Sequence, residues 1–546
     1  MKRLLTLLLA VAMVLGVLAL AACGGEPAET QPSSSATTPT GTSSSETSGT
    51  TASSETEKTE TSSSETEETT ESSSSGTGVI PEDPTLDGLS KHPDYMDVNF
   101  GGKEFSFIVN YGWSGGWDIY EICAELTGDD TILEEAIDKR NKTIESLYNC
   151  KITQQQSDTD GGKGAHGFIG DDIALGRCTF QFCMPLWQNL MVQNFYNIAS
   201  LDVNLKNSWW DQDYINAMGV TIDGADYLYC ISGQFNLLTY DSAIAMLVNR
   251  TLYDQLLATG KIKEDIFAAA REGRWTMQML YETMLEASTD VNGDSKLDFE
   301  SGDVFGMVDD RNYNTIKALF AAAGIDGVVR DESGKTVPVN PADEALVNRM
   351  QDAVTMAAKI FNAPTFGLIG ETNCVKTIAS GQALFMPQYM LRLHCTDELV
   401  VYGVDISDTK LSILPFPKLD ETQNRYYSFV CNRAVGLKVS RAIDNPPEIA
   451  NFLEVFGFHS QKLLYPQYVN YLRTQCLDGK DGDMLDYVLE SRHVDVGTFI
   501  AKGIAGTVVS VVSSGKDKIT TYVNRTYNQY CNEIQEYVDN VKKNAQ

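Results

Sequence analysis

Histidine is scarce: five residues in 546, His92, His166, His394, His459 and His493. None sits in an HExxH or another recognisable ligand pair, which removes the common zinc hydrolases. Gly161-Gly-Lys-Gly164 lacks the spacing and ending of a phosphate loop. Eleven cysteines occur without one CxxC pair, so metal knuckles and dithiol redox motifs are absent as well. Basic residues are outnumbered 42 to 74, and a formal net charge of −32 repels nucleic-acid phosphates and anionic membrane surfaces. The chain therefore reads as a protein that binds no nucleic acid and is not an enzyme. Carboxylates are too abundant for counting alone to dismiss a glycosidase pair.

The N-terminus is far more informative. Lys2 and Arg3 precede an apolar run from Leu4 to Leu20, and Leu20-Ala21-Ala22-Cys23 follows with Gly24 and Gly25 behind it. This resembles a bacterial lipobox, which implies a signal peptide over 1–22 and a diacylglycerol on the thiol of Cys23. Two acyl chains at about 0.8 kcal/mol per buried CH₂ anchor a chain stably, as one does not. From 23 to 94 the composition is mostly Ser, Thr, Glu, Gly and Pro, too poor in apolar area to offset chain entropy. It predicts a disordered tether with a reach on the order of 40 Å.

Beyond residue 95 the character changes. Hydrophobic residues make up 42% of the chain, and 24 Tyr, 21 Phe and 6 Trp require a packed globular part. Phe105 to Val109 predicts a strand. Thr131-x-x-Glu134 predicts the capping box of a helix running to Tyr148, and Cys150 to Gln154 a second strand. That order is a βαβ unit and implies a parallel sheet. Thr179 to Met184 and Tyr227 to Ile231 read as further strands, Pro341 to Phe361 as a helix and Leu411 to Leu414 as a short strand. The class is α/β. Most cysteines read as free thiols, with Cys178, Cys183, Cys230 and Cys431 in apolar surroundings.

Several segments are similar to the family 1 extracellular solute-binding proteins of Firmicutes. They are Phe100-Gly-Gly-Lys-Glu-Phe105, Ala136-Ile-Asp-Lys-Arg-Asn141, Tyr148-Asn-Cys-Lys-Ile152 and Gly273-Arg-Trp-Thr276. Gly381-Gln-Ala-Leu-Phe385, Ile413-Leu-Pro-Phe-Pro-Lys418 and Pro447-Glu-Ile-Ala-Asn-Phe452 continue the series. The resemblance implies a two-lobed type II binding-protein fold over 95–546, with lobe 1 at about 95–238 plus 415–475 and lobe 2 at about 239–414 plus 476–546. Crossovers are expected near Gln234 to Asp241 and soon after the Leu-Pro-Phe-Pro stretch. It further implies the substrate-binding lipoprotein of an ABC importer, held on the extracellular face of the cytoplasmic membrane. The partners would be a carbohydrate ligand, permease subunits and the membrane through the lipid, with the chain itself a monomer. A peptide or other polar solute is the alternative cargo; a glycan adhesin and a glycoside hydrolase are weaker alternatives.

Sugar binding asks for aromatic platforms flanked by polar side chains. Trp113, Trp117, Trp187, Trp209 and Trp210 are the candidates, with Asp211, Asn236, Tyr240, Gln388 and Tyr389 beside them. Two adjacent tryptophans on a regular element cannot both face inward, which predicts that one of Trp209 and Trp210 is exposed. Trp275, ahead of a helix, reads as core. Asp290, Asn292, Asp294, Lys296 and Asp298 space their oxygens like a calcium loop, expected between two helices, although Ser295 stands where such loops have Gly. A structural calcium is thus the only cofactor the sequence suggests.

Overall fold

In the computed structural model, the alternation of Phe105, Phe107 and Val109 becomes strand β1 (Lys103–Asn110). The structure describes residues 90–110, 122–124, 131–157, 179–183, 192–310, 313–332, 336–394, 409–431, 436–476, 479–495, 505–516 and 518–544, with 126, 434 and 497. Cys23, the tether as far as residue 89, Trp113, Trp117 and Trp187 lie outside the described residues; at the end of the stretch expected to be tether, His92 is buried. Helix α1 (Ile132–Tyr148) opens on the predicted capping box. Thr131 Oγ1 accepts from Glu134 N at 3.2 Å and Glu134 Oε2 from Thr131 N at 2.6 Å. The helix ends on Asn149 at φ 51, a left-handed stop. Strand β2 (Cys150–Ser157) lies parallel to β1 on one side, and β3 (Phe180–Cys183) on the other.

Helix α2 (Gln212–Met218) and the hairpin of β4 (Val220–Ile222) and β5 (Ala225–Tyr227) come next. The predicted strand from Tyr227 to Ile231 is not formed as such. Tyr227 is used to pair Val220 within the hairpin, and Ile231 makes only a bridge to Leu437. Short helix α3 (Leu237–Asp241) leads into β6 (Ile244–Asn249), whose six residues are all buried, as a strand covered on both faces must be. Helix α4 (Met277–Ala287) begins at Thr276. Trp275 ahead of it is core, fully buried with Nε1 donating to Pro415 O at 3.0 Å. Then follow β7 (Phe305–Asp309), α5 (Asn314–Ala322), the hairpin β8 (Val328–Arg330) and β9 (Thr336–Pro338), and α6 (Glu344–Phe361). Strands β10 (Phe366–Leu368), β11 (Ala383–Tyr389), β12 (Leu411–Leu414), β13 (Ser428–Phe429) and β14 (Gly436–Val439) complete the strand-rich part. The C-terminal part holds α7 (Pro446–His459), α8 (Tyr465–Tyr471), α9 (Met484–Glu490), β15 (Arg492–His493), α10 (Ala505–Ser513) and α11 (Thr520–Asn544).

These elements build a two-lobed α/β fold with one principal sheet per lobe. The first sheet has the order β14-β3-β1-β2, parallel except for β14. Its core is aromatic: Phe105 stacks on Phe452 of α7 at 3.9 Å, and Phe107 meets Phe180 at 4.8 Å and Phe456 at 5.4 Å. The second sheet has the order β10-β7-β11-β6-β12, with β10, β7 and β11 parallel and β6 antiparallel to both its neighbours. Two segments carry the chain between sheets. One runs from Ile231, bridged to β14, through α3 to β6; the other runs from β12 through β13 to β14. They touch where Val430 bridges Ala243 and Cys431 N donates to Ser242 O at 3.0 Å. Strand β15 pairs in parallel with β13 at the same crossing.

Candidate functional site

Strand register shows which end of each sheet faces the crossing. In the second sheet Tyr389, last residue of β11, pairs Ile244, first of β6, and Met390 N donates to Ala243 O at 2.8 Å. In the first sheet Cys183, last residue of β3, pairs Gly436, first of β14 and nearest the crossover. Both sheets therefore turn the carboxyl ends of their parallel strands toward the crossing segments. Ligands of open α/β sheets sit beyond such ends.

At the crossing lies a buried charged cluster. Asp211 caps α2, accepting from Tyr214 N at 3.1 Å, and its other oxygen accepts from Arg492 Nη1 at 2.9 Å. Both partners are nearly sealed, with side-chain exposures of 2% and 9%. The Arg492 guanidinium lies 3.9 Å from the Tyr240 ring centroid, and Tyr240 in turn meets Tyr465 at 5.0 Å and Tyr468 at 6.1 Å. Tyr468 Oη donates to Asp241 Oδ1 at 2.7 Å. Burial works against the Arg492 charge, but Asp211 and the neighbouring tyrosine hydroxyls outweigh it and leave the pKa above the usual guanidinium range. Burial pushes the Tyr465 hydroxyl up to about 12, so it stays a neutral donor. Asp211 and Tyr240 are thus brought together, through an arginine that the sequence pattern does not single out.

Both members of the tryptophan pair are buried, Trp209 at 6% exposure and Trp210 at 3%, which corrects the expectation that one is exposed. Adjacent side chains are forced to opposite faces only on a regular element, whereas residues 201–210 form a chain of turns. That loop is pinned by Glu454 of α7, buried, which accepts from Asn204 N and from Asn207 Nδ2. Trp209 faces His92 and Phe458 edge-on, while Trp210 turns the other way onto Phe235 at 5.9 Å. Trp210 Nε1 is buried with no acceptor within the protein. Gly457 lets Trp209 approach, since a Cβ there would stand 2.2 Å from Trp209 Cδ1. Gly457→Ala is expected to lower stability by about 1–3 kcal/mol through overpacking, measured as a shift in the urea midpoint at unchanged slope.

Asn236 Nδ2 donates to Ser232 Oγ at 3.1 Å and braces the first crossover from inside. Gln388 is buried, its Oε1 accepting from Tyr389 N at 2.9 Å. Tyr389 Oη donates to Asn314 Oδ1 at 3.2 Å, at the start of α5. Asp309, at the carboxyl end of β7, joins them: its Oδ2 accepts from Thr315 N at 3.0 Å. Complete burial raises its pKa to about 7, helped by the charge of Asp310 and opposed by hydrogen bonds from Thr315. Asp309, Asn314, Gln388 and Tyr389 form the second lobe's share of the site. The first two escape sequence reasoning, because only the β7 register places them there.

A cavity of about 220 Å³ opens beside the charged cluster, between α2, the Asp326–Arg330 segment and β15. Asp213, Asn216, Asp326, Arg330 and His493 line it over a floor of Val328, Val329 and Val494. Ligand pockets usually measure roughly 300–1,000 Å³, so this space by itself suits a ligand no larger than a small polyol. Burial raises the Asp213 pKa, with Asp211 adding to it and Arg425, Arg492 and His493 opposing.

The acidic loop joins α4 to β7, not two helices as expected, and closes with a bridge between Thr289 and Val304. Its oxygens are turned onto its own backbone: Asp290 accepts from Gly293 N and Ser295 N, Asn292 from Asp294 N, and Asp294 from Lys296 N. Asp298 accepts from Glu300 N. Among the described residues no group of three or more His, Cys, Asp or Glu side chains is arranged to hold a metal ion. Among the described residues, too, no helix is long and apolar enough to cross a membrane.

No family model and no curated protein matches the chain. Solved structures similar to it include an ABC substrate-binding protein from Listeria monocytogenes in complex with cycloalternan, at 12% identity and a TM-score of 0.44, covering 81% of this chain and 99% of that one. The galacto-N-biose/lacto-N-biose I-binding protein of the ABC transporter from Bifidobacterium longum is similar at 11% identity and 0.45, covering 82% and 98%. UspC of M. tuberculosis is similar at 11% identity and 0.47, covering 79% and 100%.

Proposed function

We propose that this chain is the substrate-binding lipoprotein of an ABC importer, capturing a mono- or oligosaccharide between its lobes and delivering it to a permease. The observation that carries the reading is the facing of the two carboxyl edges across the crossing segments, with polar and aromatic side chains on both sides. Such a layout grips a solute by lobe closure and supplies no reaction. Trp210, with its unsatisfied indole N–H, is the aromatic donor on the first side; Asp309, Asn314 and Tyr389 are the polar set on the second. In chain order Trp113 and Trp117 come just after β1, and Trp187 just after β3, the ends at which platforms for the apolar face of a sugar belong. The lipobox and tether fit a mature protein held by Cys23 on the extracellular face of the membrane, with the stretch from Cys23 to about residue 89 as leash.

A glycan panel read by thermal shift and calorimetry tests this. A cognate sugar at 100 times its Kd should stabilise the protein, truncated to begin near Ser90 so that His92 is kept, by about 2.7 kcal/mol, without turnover. Trp210→Phe keeps the ring and removes the N–H, and is expected to weaken binding at least fivefold with the fold intact. Stabilisation by peptides and by no glycan would overturn the carbohydrate assignment.

A further inference from the structure

The cavity wall is also a seam between the lobes. Arg330 of the β8–β9 hairpin donates through Nη2 to Asn216 O and Gly219 O, the carbonyls that end α2 in the other lobe. Alongside, His493 Nε2 lies 2.6 Å from Asp326 Oδ1, just ahead of β8, while Asp213 of α2 lines the same cavity from across the seam. Helix α11 lies over this side, packed on both β9 and β4. Hairpin, histidine and helix thus hold together parts of both lobes at a point flanking the crossing strands.

We propose that this seam is a proton-dependent clasp: with His493 charged, its ring ties Asp326 of one lobe toward Asp213 of the other and resists opening, and deprotonation loosens it. The proposal rests on the transport reading only in taking the lobes to move. The groups facing His493 are Asp326, Asp213 and Asp495, which favour its charge, and Arg492 beside it, itself paired with Asp211. Arg330 lines the cavity, engaged on backbone carbonyls, and Arg425 lies over Tyr427, whose ring meets His493 edge-on at 5.0 Å. Burial pulls the His493 pKa down, but the hydrogen bond and charge of Asp326, with Asp495 and Asp213, more than reverse it. A pKa raised above 6.5 gives a contribution present in full below 6.5 and lost as pH rises through the folded value.

Hydrogen–deuterium exchange of the ligand-free protein tests the clasp independently of any ligand. After correction for intrinsic exchange, amides of segments 213–219 and 326–338 should be at least fivefold better protected at about pH 6 than at about pH 8.5. His493→Gln, and separately the near-isosteric Asp326→Asn, should abolish that difference. Equal protection at both pH values in the wild type, or a difference that survives both substitutions, overturns the clasp. A glycan that stabilises the protein while the seam ignores pH would sink the clasp alone; a pH-dependent seam with no ligand found would sink only the transport reading.

Discussion

Replacing Arg492 by Met is expected to lower the unfolding free energy by about 3–5 kcal/mol, among the largest losses available to a single side chain here. The methionine roughly fills the volume, but the Asp211 carboxylate is left charged and sealed at 2% exposure, with only the Tyr214 N–H for company on its other oxygen. A buried charge without its partner costs several kcal/mol, whatever the intact pair was worth. Arg492→Lys tests geometry separately. It keeps a positive charge but loses the planar stack over Tyr240, so an intermediate loss is expected. The double change Asp211→Asn with Arg492→Met removes both charges and should recover a substantial part of the loss. Denaturant melts of the four proteins decide it: a loss under about 1 kcal/mol for Arg492→Met, or a double variant no better than the single, would mean that water reaches the pair. Because Arg492 sits on β15 and Asp211 on the loop that carries both tryptophans, a loosened pair should also weaken ligand capture more than Gly457→Ala does.

Sequence patterns found the first lobe more readily than the site. The βαβ start was legible because its signals are local: alternation over Phe105–Val109, a capping box four residues long, and an amphipathic helix running into a second strand. The carboxyl edge of the second sheet was half legible. Gln388 and Tyr389 stand out in the sequence as polar and aromatic candidates, though not the strand they end, whereas Asp309 and Asn314 reach them only through the parallel pairing of β7 with β11. Arg492 shows the limit most clearly, because it pairs with a residue 281 positions away and nothing near it in the chain announces that partner. A signal was nonetheless present in the adjacent cations Arg492-His493 within a strongly acidic chain, next to the aspartate Asp495. The tryptophan pair misled for the opposite reason: a rule about regular elements was applied to a loop whose shape is set by Glu454, a buried carboxylate from another helix. Eight cysteines lie within the described residues. Among them Cys150 and Cys531 are free thiols, and burial pushes the Cys150 thiol up to about 12, as an inert core position requires.

Asp309→Asn is expected to stabilise the protein at about pH 8 and to change it little at about pH 5, an effect whose sign follows from one buried proton. In the folded chain burial holds the Asp309 pKa near 7, against 3.8 for an exposed aspartate, so between these values the native state keeps a proton that the unfolded chain releases. Stability from this group is therefore full below 3.8, falls as pH rises, and is lost once pH passes through about 7. At about 1.4 kcal/mol per pKa unit the whole span is on the order of 4 kcal/mol, of which roughly 2–3 lies between pH 5 and 7. Asparagine does not titrate; its oxygen can accept from Thr315 N as Asp309 does, and it removes the charge facing Asp310. The difference in unfolding free energy between variant and wild type should accordingly grow by about 2–3 kcal/mol from pH 5 to pH 8. His493 and the surface carboxylates titrate alike in both proteins and cancel in that difference. A pH-independent difference would place Asp309 in the ordinary carboxylate range, solvated by water within the site. In that case the protonated Asp309 that the carboxyl edge of β7 would offer a solute, in company with Asn314 and Tyr389, would have to be given up.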